Sequence, residues 1–178
     1  MFRSAEADPS VLFVGIDANP KPLQKISIKA ERALAKRGSV NAIYVQSAAE
    51  DLPEELNNTA DEIVINFPWG SLLGLTINAE PAFLASLARI LKIHGSLAIT
   101  TAIDPIRDAE ELKRLGIKTS EHGDLLSAMV PRYSASGLVF ADTRKPAPNE
   151  YLVGTTWERK LRSSAGREPV CLRFRKSR

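Results

Sequence analysis

The segment VLFVGID at residues 11–17 is a continuous apolar run that ends in an acid. Such a run is typical of a strand buried on both faces of a parallel sheet. Asn19 and Pro20 follow as helix-start residues, and apolar residues then recur at helical spacing as far as Arg37, with Gly38 placed to stop the helix. This strand and helix together predict the beginning of an α/β fold.

Strand-like and helical segments alternate along the rest of the chain. Further strands are predicted at residues 42–46, 62–66, 96–102, 138–143 and 170–175, and further helices at residues 80–93, 104–115 and 124–136. There is no internal repeat and no long linker. The alternation therefore predicts one domain, residues 1–178, with a doubly wound, mostly parallel sheet and helices on both of its faces.

The composition narrows the class of protein. With 44% hydrophobic and 25% charged residues, the 178-residue chain is typical of one soluble globular domain. No apolar run approaches the roughly 20 residues of a membrane span, and the first residues lack the apolar core of a signal peptide. A lone cysteine, Cys171, cannot form an internal disulfide, and the two histidines lie too far apart for a metal-ligand cluster. We therefore expect a cytoplasmic monomer with no metal and no membrane.

The charge is unevenly distributed. Ten basic and three acidic residues lie between Arg144 and Arg178, a net charge of +7, whereas the whole chain carries only +3. A second basic run follows Pro20, where cations recur every three or four residues: Lys21, Lys25, Lys29, Arg32 and Lys36. The pattern fits either a cationic edge that meets a polyanion or an ordinary solvated surface.

Asp17 stands where nucleotide-binding α/β domains place an acid that binds ribose. In those folds the acid ends the second strand, about 20 residues after a glycine-rich loop that follows the first strand. Counting back that far from Asp17 leads to a point before Met1. The sequence therefore predicts an N-terminally incomplete fold, with the first strand and the glycine loop missing and residues 2–7 in the position of the first helix.

A second motif, NFPWGSLL at residues 66–73, directly follows a predicted strand. It resembles the corresponding segment of the 16S rRNA adenine-N1 methyltransferases that confer aminoglycoside resistance, a branch of the class I S-adenosylmethionine-dependent enzymes. Residues 14–17 (VGID), 47–53 (SAAEDLP) and 155–161 (TTWERKL) resemble the same family in the same order. The resemblance implies a Rossmann-like class I methyltransferase fold. It also implies methyl transfer from S-adenosylmethionine to N1 of an adenine in the decoding site of 16S rRNA in the 30S subunit.

The resemblance further implies which residues bind the cofactor and the RNA. Asp17 would hold the cofactor ribose, and Ala48, Ala49 and Glu50 would line its adenine end, with Asn66 beside the methyl group. The RNA backbone would be held by basic residues in two segments: Lys21, Lys25, Lys29, Arg32, Arg159, Lys160, Arg162 and Arg167.

The chemistry of this reaction needs access and electrostatics more than proton transfer. Adenine N1 carries a lone pair that attacks a methyl group directly, so no strong general base is required. The base must leave its stack and enter a pocket. By the resemblance, Trp69 and Trp157 would sandwich the target adenine, while Asn66 and Thr155 would lie near the reacting atoms. Each indole can stabilise the cationic donor or product by about 0.5–2 kcal/mol.

Two alternatives stay open at this point. Residues 66–69, NFPW, are also similar to the shorter Asn-Pro-Pro-aromatic motif of amino-group methyltransferases, in which the Asn side chain and a backbone carbonyl accept hydrogen bonds from the amine. That similarity favours an adenine N6 or another RNA methyltransferase. The second alternative is a non-catalytic RNA-binding remnant that lacks the cofactor loop.

Overall fold

The structure is a computed structural model that describes residues 2–32, 38–117, 125–146 and 168–177. The chain divides into two compact units, Met1–Leu52 and Pro53–Arg178. The first contains α1 (Phe2–Ala7), β1 (Phe13–Asp17), α2 (Pro20–Ala30) and β2 (Ala42–Gln46). The second contains β3 (Ala60–Asn66), α3 (Ser71–Asn78), α4 (Pro81–Ile90), β4 (Leu91–Thr101), α5 (Ala109–Arg114), α6 (Leu125–Ala135), β5 (Leu138–Arg144) and β6 (Val170–Lys176), preceded by a 3₁₀ turn at Glu54–Leu56.

The first unit is built on a parallel pair of strands. β1 and β2 are in register from the pair Phe13 and Ala42 to the pair Asp17 and Gln46, so their carboxyl ends meet at one edge. The predicted burial of this first strand on both faces is wrong, because Leu12 is 61% exposed and the residues of β1 are only half-buried or exposed. Among the described residues, β1 has a single neighbouring strand, which explains its partial burial.

Asn41 ties the first helix to the start of β2. Its Nδ2 lies 3.1 Å from the carbonyl oxygen of Ala5, 2.9 Å from that of Asp8 and 2.8 Å from that of Val11. Its Oδ1 accepts a hydrogen bond from the Ser39 hydroxyl at 2.7 Å. One side chain therefore satisfies several backbone carbonyls where α1 leads into β1.

The second unit contains a four-stranded sheet in the order β3-β4-β6-β5. β3 is parallel to β4, and β6 is antiparallel to both β4 and β5. Three of these four strands therefore run in one direction, as predicted for a mostly parallel sheet. The reversed direction of β6 was not predicted, since an apolar run identifies a strand without indicating its direction.

The core of the second unit lies between one face of this sheet and its helices. Leu97, Ile99 and Phe174 are fully buried on the strands. The Tyr133 ring of α6 stacks on Phe174 of β6, with ring centroids 4.6 Å apart. The helices add further fully or nearly fully buried side chains: Leu73, Phe83, Leu84, Leu87 and Met129. Such close packing gives the sheet a rigid base for the loops at its edge.

The junction between α4 and β4 corrects one prediction. The helix predicted to run to Ile93 ends at Ile90, and the next residue already belongs to β4. The carbonyl oxygens of Arg89 and Ile90 accept hydrogen bonds from the N–H groups of Asn58 and Thr59, both at 3.0 Å, in place of further helical bonds. Tertiary contacts thus override the helical periodicity of this segment.

Gly95 also has a different role from the predicted helix stop. It lies within β4, where a Cβ would come 2.9 Å from the carbonyl oxygen of Lys92 and 3.2 Å from that of Ala60. The backbone therefore approaches too closely for any larger residue without a shift.

Two other helix boundaries differ from the predictions, and one helix was not predicted. α2 ends at Ala30, so it is shorter than predicted and Gly38 does not stop it. The helix predicted from Asp104 begins only at Ala109, because residues 105–108 form a turn whose amides bond to Asp104. α3 was not predicted, because its eight residues include a central glycine and its first residues belong to the NFPWGSLL motif, which was not interpreted as a helix.

Replacing Tyr133 by phenylalanine is expected to change how stability depends on pH. The Tyr133 hydroxyl donates a hydrogen bond to the carbonyl of Thr76 at 3.0 Å, and burial raises the pKa of this phenol. At neutral pH the variant should lose about 1 kcal/mol with that bond. Above about pH 10 the tyrosine ionises in the unfolded state but stays protonated in the native state. The free energy of unfolding of the wild type therefore falls by up to about 1.4 kcal/mol per pH unit more than that of the variant.

Urea unfolding at pH 7.5 and at pH 11 measures this difference. At the higher pH, the difference in free energy of unfolding between the wild type and the variant should become smaller or change sign. Equal losses in both proteins would contradict a phenol that is buried and protonated in the native state.

Candidate functional site

The carboxyl end of β1 presents Asp17 at the surface of the first unit. Its Oδ1 accepts a hydrogen bond from the Asn19 N–H at 2.9 Å, and the Asn19 side chain in turn accepts one from the Lys21 N–H at 3.1 Å. These two turns carry the chain from β1 into α2, whose N-cap is Asn19. The Asp17 carboxylate is thereby fixed at the end of the strand while Asp17 remains exposed.

The turn after β2 lies next to Asp17. The Ser47 N–H donates to the carbonyl oxygen of Asp17 at 3.2 Å, which continues the pairing of the two strands. The Ser47 hydroxyl donates to the carbonyl of Asp51 at 2.5 Å, and the Asp51 N–H donates to the carbonyl of Ala48 at 3.1 Å. This closed turn leaves Ala48 and Ala49 half-buried. The structure thus brings together Asp17 and the segment predicted to line the adenine end of the cofactor.

These first-unit residues fit a nucleoside. A carboxylate with one oxygen in a backbone turn has acceptor capacity left for ribose hydroxyls. Ala48 and Ala49 carry only small, apolar methyl groups, which suit contact with a flat purine ring. Glu50, which follows them, is exposed. The residues at this edge are therefore suited to the adenosine part of S-adenosylmethionine.

The carboxyl end of β3 leads into a turn with unusual backbone angles, residues 67–70, which we call the 67–70 turn. Asn66 pairs with Thr100 in the last register position of β3, and the Phe67 N–H donates to the Thr100 carbonyl at 2.7 Å. Phe67 has φ +50°, rare for a bulky residue, and Gly70 has φ +61° with ψ −136°, a combination open essentially to glycine alone. Trp69 between them is half-buried and Asn66 is exposed.

α5 contains an ion pair that was not predicted. The Arg114 guanidinium donates to both carboxylate oxygens of Glu111 at 2.7 Å and lowers the pKa of that carboxyl group. The spacing of Glu111 and Arg114 is a helical ion-pair signal that the sequence does contain.

The predicted RNA-binding residues are only partly described. Lys21 and Lys25 are exposed on α2, Lys29 is half-buried one turn further on, and Arg32 is exposed just beyond the helix. The spacing of Lys21, Lys25 and Lys29 places these three residues along one face of α2. Six predicted site residues lie outside the described residues, so their roles stay predictions: Thr155, Trp157, Arg159, Lys160, Arg162 and Arg167.

Within the part of the chain that the structure describes, no single helix is long and apolar enough to cross a membrane, although α3 and α4 together have the required length and composition as a pair bent by 87°. Within the same described ranges, no group of three or more His, Cys, Asp or Glu side chains could hold a metal ion.

Comparison with known proteins assigns the family. The chain matches the NpmA family, described as 16S rRNA (adenine(1408)-N(1))-methyltransferase, over residues 1–175. The chain belongs to this family. The 16S rRNA (adenine(1408)-N(1))-methyltransferase of Streptoalloteichus tenebrarius is 31% identical to it over 171 residues, which cover 95% of this chain and 78% of the relative.

Two solved structures are similar to nearly the whole chain. The aminoglycoside resistance methyltransferase NpmB1 is 38% identical with a TM-score of 0.84, and the match covers 98% of this chain and 80% of that one. A variant of the 16S rRNA (adenine(1408)-N(1))-methyltransferase from Catenulisporales acidiphilia, solved with its cosubstrate S-adenosylmethionine, is 27% identical with a TM-score of 0.84; the match covers 99% and 80%.

Membership of the NpmA family confirms several predictions. The resemblance, the Rossmann-like α/β fold, the assignment as an S-adenosylmethionine-dependent methyltransferase and the cofactor are all supported by these relatives. The roles of individual residues are not tested by the comparisons.

Proposed function

We propose that this chain transfers the methyl group of S-adenosylmethionine to N1 of adenine 1408 in the 16S rRNA of the 30S subunit. The observation that carries the proposal is the 67–70 turn, which places the half-buried Trp69 three residues after the exposed Asn66 at the carboxyl end of β3. In open α/β sheets, ligands bind at the carboxyl ends of the strands. The relatives named above act on this nucleotide by their descriptions.

Asp17 and residues 48–50 are the proposed cofactor contacts. The Asp17 carboxylate accepts hydrogen bonds from the ribose hydroxyls, while Ala48 and Ala49 pack against the adenine ring and Glu50 lies at its edge. When bound, S-adenosylmethionine supplies an electrophilic methyl group on a cationic sulfur. The protein residues therefore need only to orient it, and Asn66 is proposed to lie beside the methyl group.

Trp69 is the proposed support for the target base. Adenine N1 lies on the Watson–Crick edge, so the base must be flipped out of its stack before it can react. A flipped base stacks on aromatic side chains, which contributes about 1–3 kcal/mol per base. The Trp69 indole also favours the positive charge that develops as N1 is alkylated. We also propose that Trp157 stacks on the other face of the target adenine and that Thr155 lies near the reacting atoms.

Lys21, Lys25 and Lys29 of α2 and Arg32 just beyond it are proposed to hold the RNA backbone, together with Arg159, Lys160, Arg162 and Arg167. Lys21, Lys25 and Arg32 are exposed, as phosphate contacts require. Neutralising phosphates releases counterions, so binding weakens as salt rises.

The triple variant Lys21→Ala, Lys25→Ala, Arg32→Ala is therefore expected to bind 30S subunits more weakly and with less salt dependence. Each phosphate contact removed should lower the slope of log Kd against log salt by about 0.7–0.9, a total of about 2–3. Filter binding between 50 and 300 mM salt measures the slope. A matched control removes the same number of charges elsewhere, at Lys92, Lys113 and Lys145. If the triple variant kept the wild-type slope of log Kd against log salt, this contact surface would be ruled out.

Primer extension on 30S subunits tests the proposed reaction. N1-methyladenine cannot pair, so extension should arrest at adenine 1408 after incubation with the chain and S-adenosylmethionine. Mass spectrometry of the digested RNA distinguishes this product from N6-methyladenine, which still pairs and would favour the amino-group alternative. RNA binding without any methylated product would favour the remnant.

Ribosomal RNA is the substrate named for the relatives of this chain. We therefore propose that the chain acts in the cytoplasm, and we further propose that it acts as a monomer and away from membranes. Sedimentation at micromolar concentration measures the oligomeric state.

A further inference from the structure

A highly exposed apolar side chain follows the carboxyl end of β4. Ile106 is 88% exposed, more than any other large apolar side chain that the structure describes. Single apolar residues are normal at a protein surface and need no explanation by themselves. Ile106 is distinguished by its position relative to the candidate site and by the hydrogen bonds that hold its backbone.

β4 ends at the edge of the sheet that carries the 67–70 turn. The Phe67 N–H donates to the carbonyl of Thr100 at 2.7 Å, so the two chain segments are joined there. Ile106 follows Thr101, the last residue of β4, by five residues, which span at most about 18 Å when fully extended. Ile106 is therefore within reach of an RNA substrate whose target base enters at the 67–70 turn.

Hydrogen bonds fix the segment that carries Ile106, residues 104–108, which we call the 104–108 turn. The Asp104 Oδ1 accepts from the N–H groups of Ile106 and Arg107 at 3.0 and 3.1 Å. The Asp104 N–H donates to Oδ2 of Asp108 at 3.0 Å, and the Asp108 N–H donates to the Asp104 carbonyl at 2.9 Å. The turn is thus preorganised, which lowers the entropic cost of a contact with a ligand.

The outer surface of the 104–108 turn is apolar and cationic. Asp108 is only 4% exposed, and the Asp104 Oδ2 lies 3.4 Å from the Nε of Arg107. The Arg107 side chain is nevertheless 49% exposed, beside the still more exposed Ile106. Both carboxylates are engaged within the turn, so the surface that it presents suits RNA, whose phosphates attract guanidinium groups and repel carboxylates.

An exposed apolar side chain has a specific use in base flipping. Extruding a base from its stack costs free energy, which the protein must offset with contacts to the distorted RNA. Proteins that distort nucleic acids insert apolar side chains, isoleucine among them, at unstacked base steps. Ile106 is apolar, largely exposed and fixed in a rigid turn at the edge where the target base is proposed to enter.

We infer that Ile106 packs against the RNA bases that flank the flipped adenine and occupies the space that the adenine vacates. The inference rests on the proposed function, because it requires a flipped adenine beside the 67–70 turn. It places an RNA contact on the 104–108 turn, outside the two basic segments to which the resemblance pointed.

Single-turnover methylation of 30S subunits tests the role of Ile106 in flipping. Ile106→Ala should lower the rate about tenfold, because less of the unstacking cost is then offset. The concentration of 30S needed for half-saturation should change less than about twofold, since phosphate contacts dominate the affinity. Ile106→Leu keeps an apolar side chain of the same size and should retain most of the rate.

Ile93→Ala is the matched control for the rate measurement. Ile93 is a 57% exposed isoleucine near the amino end of the same strand, β4. Its truncation removes the same atoms from the opposite end of the strand, and the rate should stay at the wild-type value. Equal rate losses in Ile106→Ala and Ile93→Ala would overturn the inference, because they would show no dependence on position.

Directed hydroxyl-radical cleavage tests the position of Ile106 independently of activity. Ile106→Cys is labelled with an iron(II)-EDTA reagent and bound to 30S subunits, and cleavage of 16S rRNA is mapped by primer extension. We expect cleavage at the nucleotides that flank adenine 1408. The native Cys171 is buried, so wild-type protein carried through the same labelling should produce no cleavage there, and neither should labelled Ile93→Cys.

The outcomes separate the inference from the proposed function. A wild-type chain that leaves adenine 1408 unmethylated overturns the proposed function, while the cleavage pattern still decides whether residue 106 lies beside that nucleotide. A methylating chain overturns the inference alone if Ile106→Ala keeps the wild-type rate, or if iron at residue 106 cleaves no nucleotide next to adenine 1408.

Discussion

Replacing Trp69 by alanine is expected to lower the single-turnover rate of N1 methylation about 100-fold, with little change in affinity for the 30S subunit. Stacking of a flipped base contributes about 1–3 kcal/mol, and the attraction between an indole and a cation adds about 0.5–2 kcal/mol. Both terms act on the flipped base and its charged product. Affinity for the intact subunit comes mainly from phosphate contacts, which Trp69 does not make.

Two variants make this result specific. Trp69→Phe keeps an aromatic face and should retain a rate within about tenfold of the wild type, since a smaller ring loses only part of the stacking energy. Val139→Ala truncates a 47% exposed apolar side chain on β5, which β4 and β6 separate from β3, and should change nothing. If the Trp69→Ala protein methylated at close to the wild-type rate, Trp69 would not support the target base.

The strands of this fold were predictable because their signal is local. The structure contains the strands that were predicted at residues 42–46, 62–66 and 170–175. Their observed boundaries differ from the predicted ones by at most two residues. The parallel pairing of β1 with β2 and of β3 with β4 follows from the intervening segments, which return the chain to the same end of the sheet. A mostly parallel α/β fold therefore followed from sequence pattern alone.

The helix ends were less predictable because they depend on distant partners. α4 stops at Ile90 since the amides of Asn58 and Thr59 take its last carbonyls. No propensity of residues 91–93 indicates this, as leucine, lysine and isoleucine all occur within helices. Contacts between residues about 30 positions apart decide the boundary, and periodicity within one segment contains no information about them.

The candidate site shows the same division. Asp17 and residues 48–50 could be placed together from sequence, because the carboxyl ends of two parallel strands lie at one edge and the structure joins Ser47 to Asp17 there. The backbone of the 67–70 turn could not. Nothing in the sequence indicates the positive φ of Phe67, and α3, which follows the turn, was itself not predicted.

Replacing Asp17 by alanine is expected to weaken the affinity for S-adenosylmethionine at least 100-fold. Two hydrogen bonds from ribose hydroxyls to a carboxylate contribute about 3 kcal/mol together, even at the lower end of the range for charged partners. Asp17→Asn keeps the oxygen that accepts from the Asn19 N–H, so the turn into α2 is preserved while the charge and one acceptor are lost. Its affinity should fall to an intermediate value.

Calorimetric titration of each variant with S-adenosylmethionine distinguishes ribose binding from a local structural effect. Glu6→Gln removes an exposed acid of the same unit and serves as the control for net charge. If Asp17 acted only through the turn before α2, Asp17→Asn would bind as the wild type does, because its amide oxygen replaces the turn acceptor. A loss in Asp17→Asn that leaves the unfolding temperature unchanged therefore requires the second oxygen to bind the ligand, which is the role that the end of a parallel strand gives an acid in a nucleoside site.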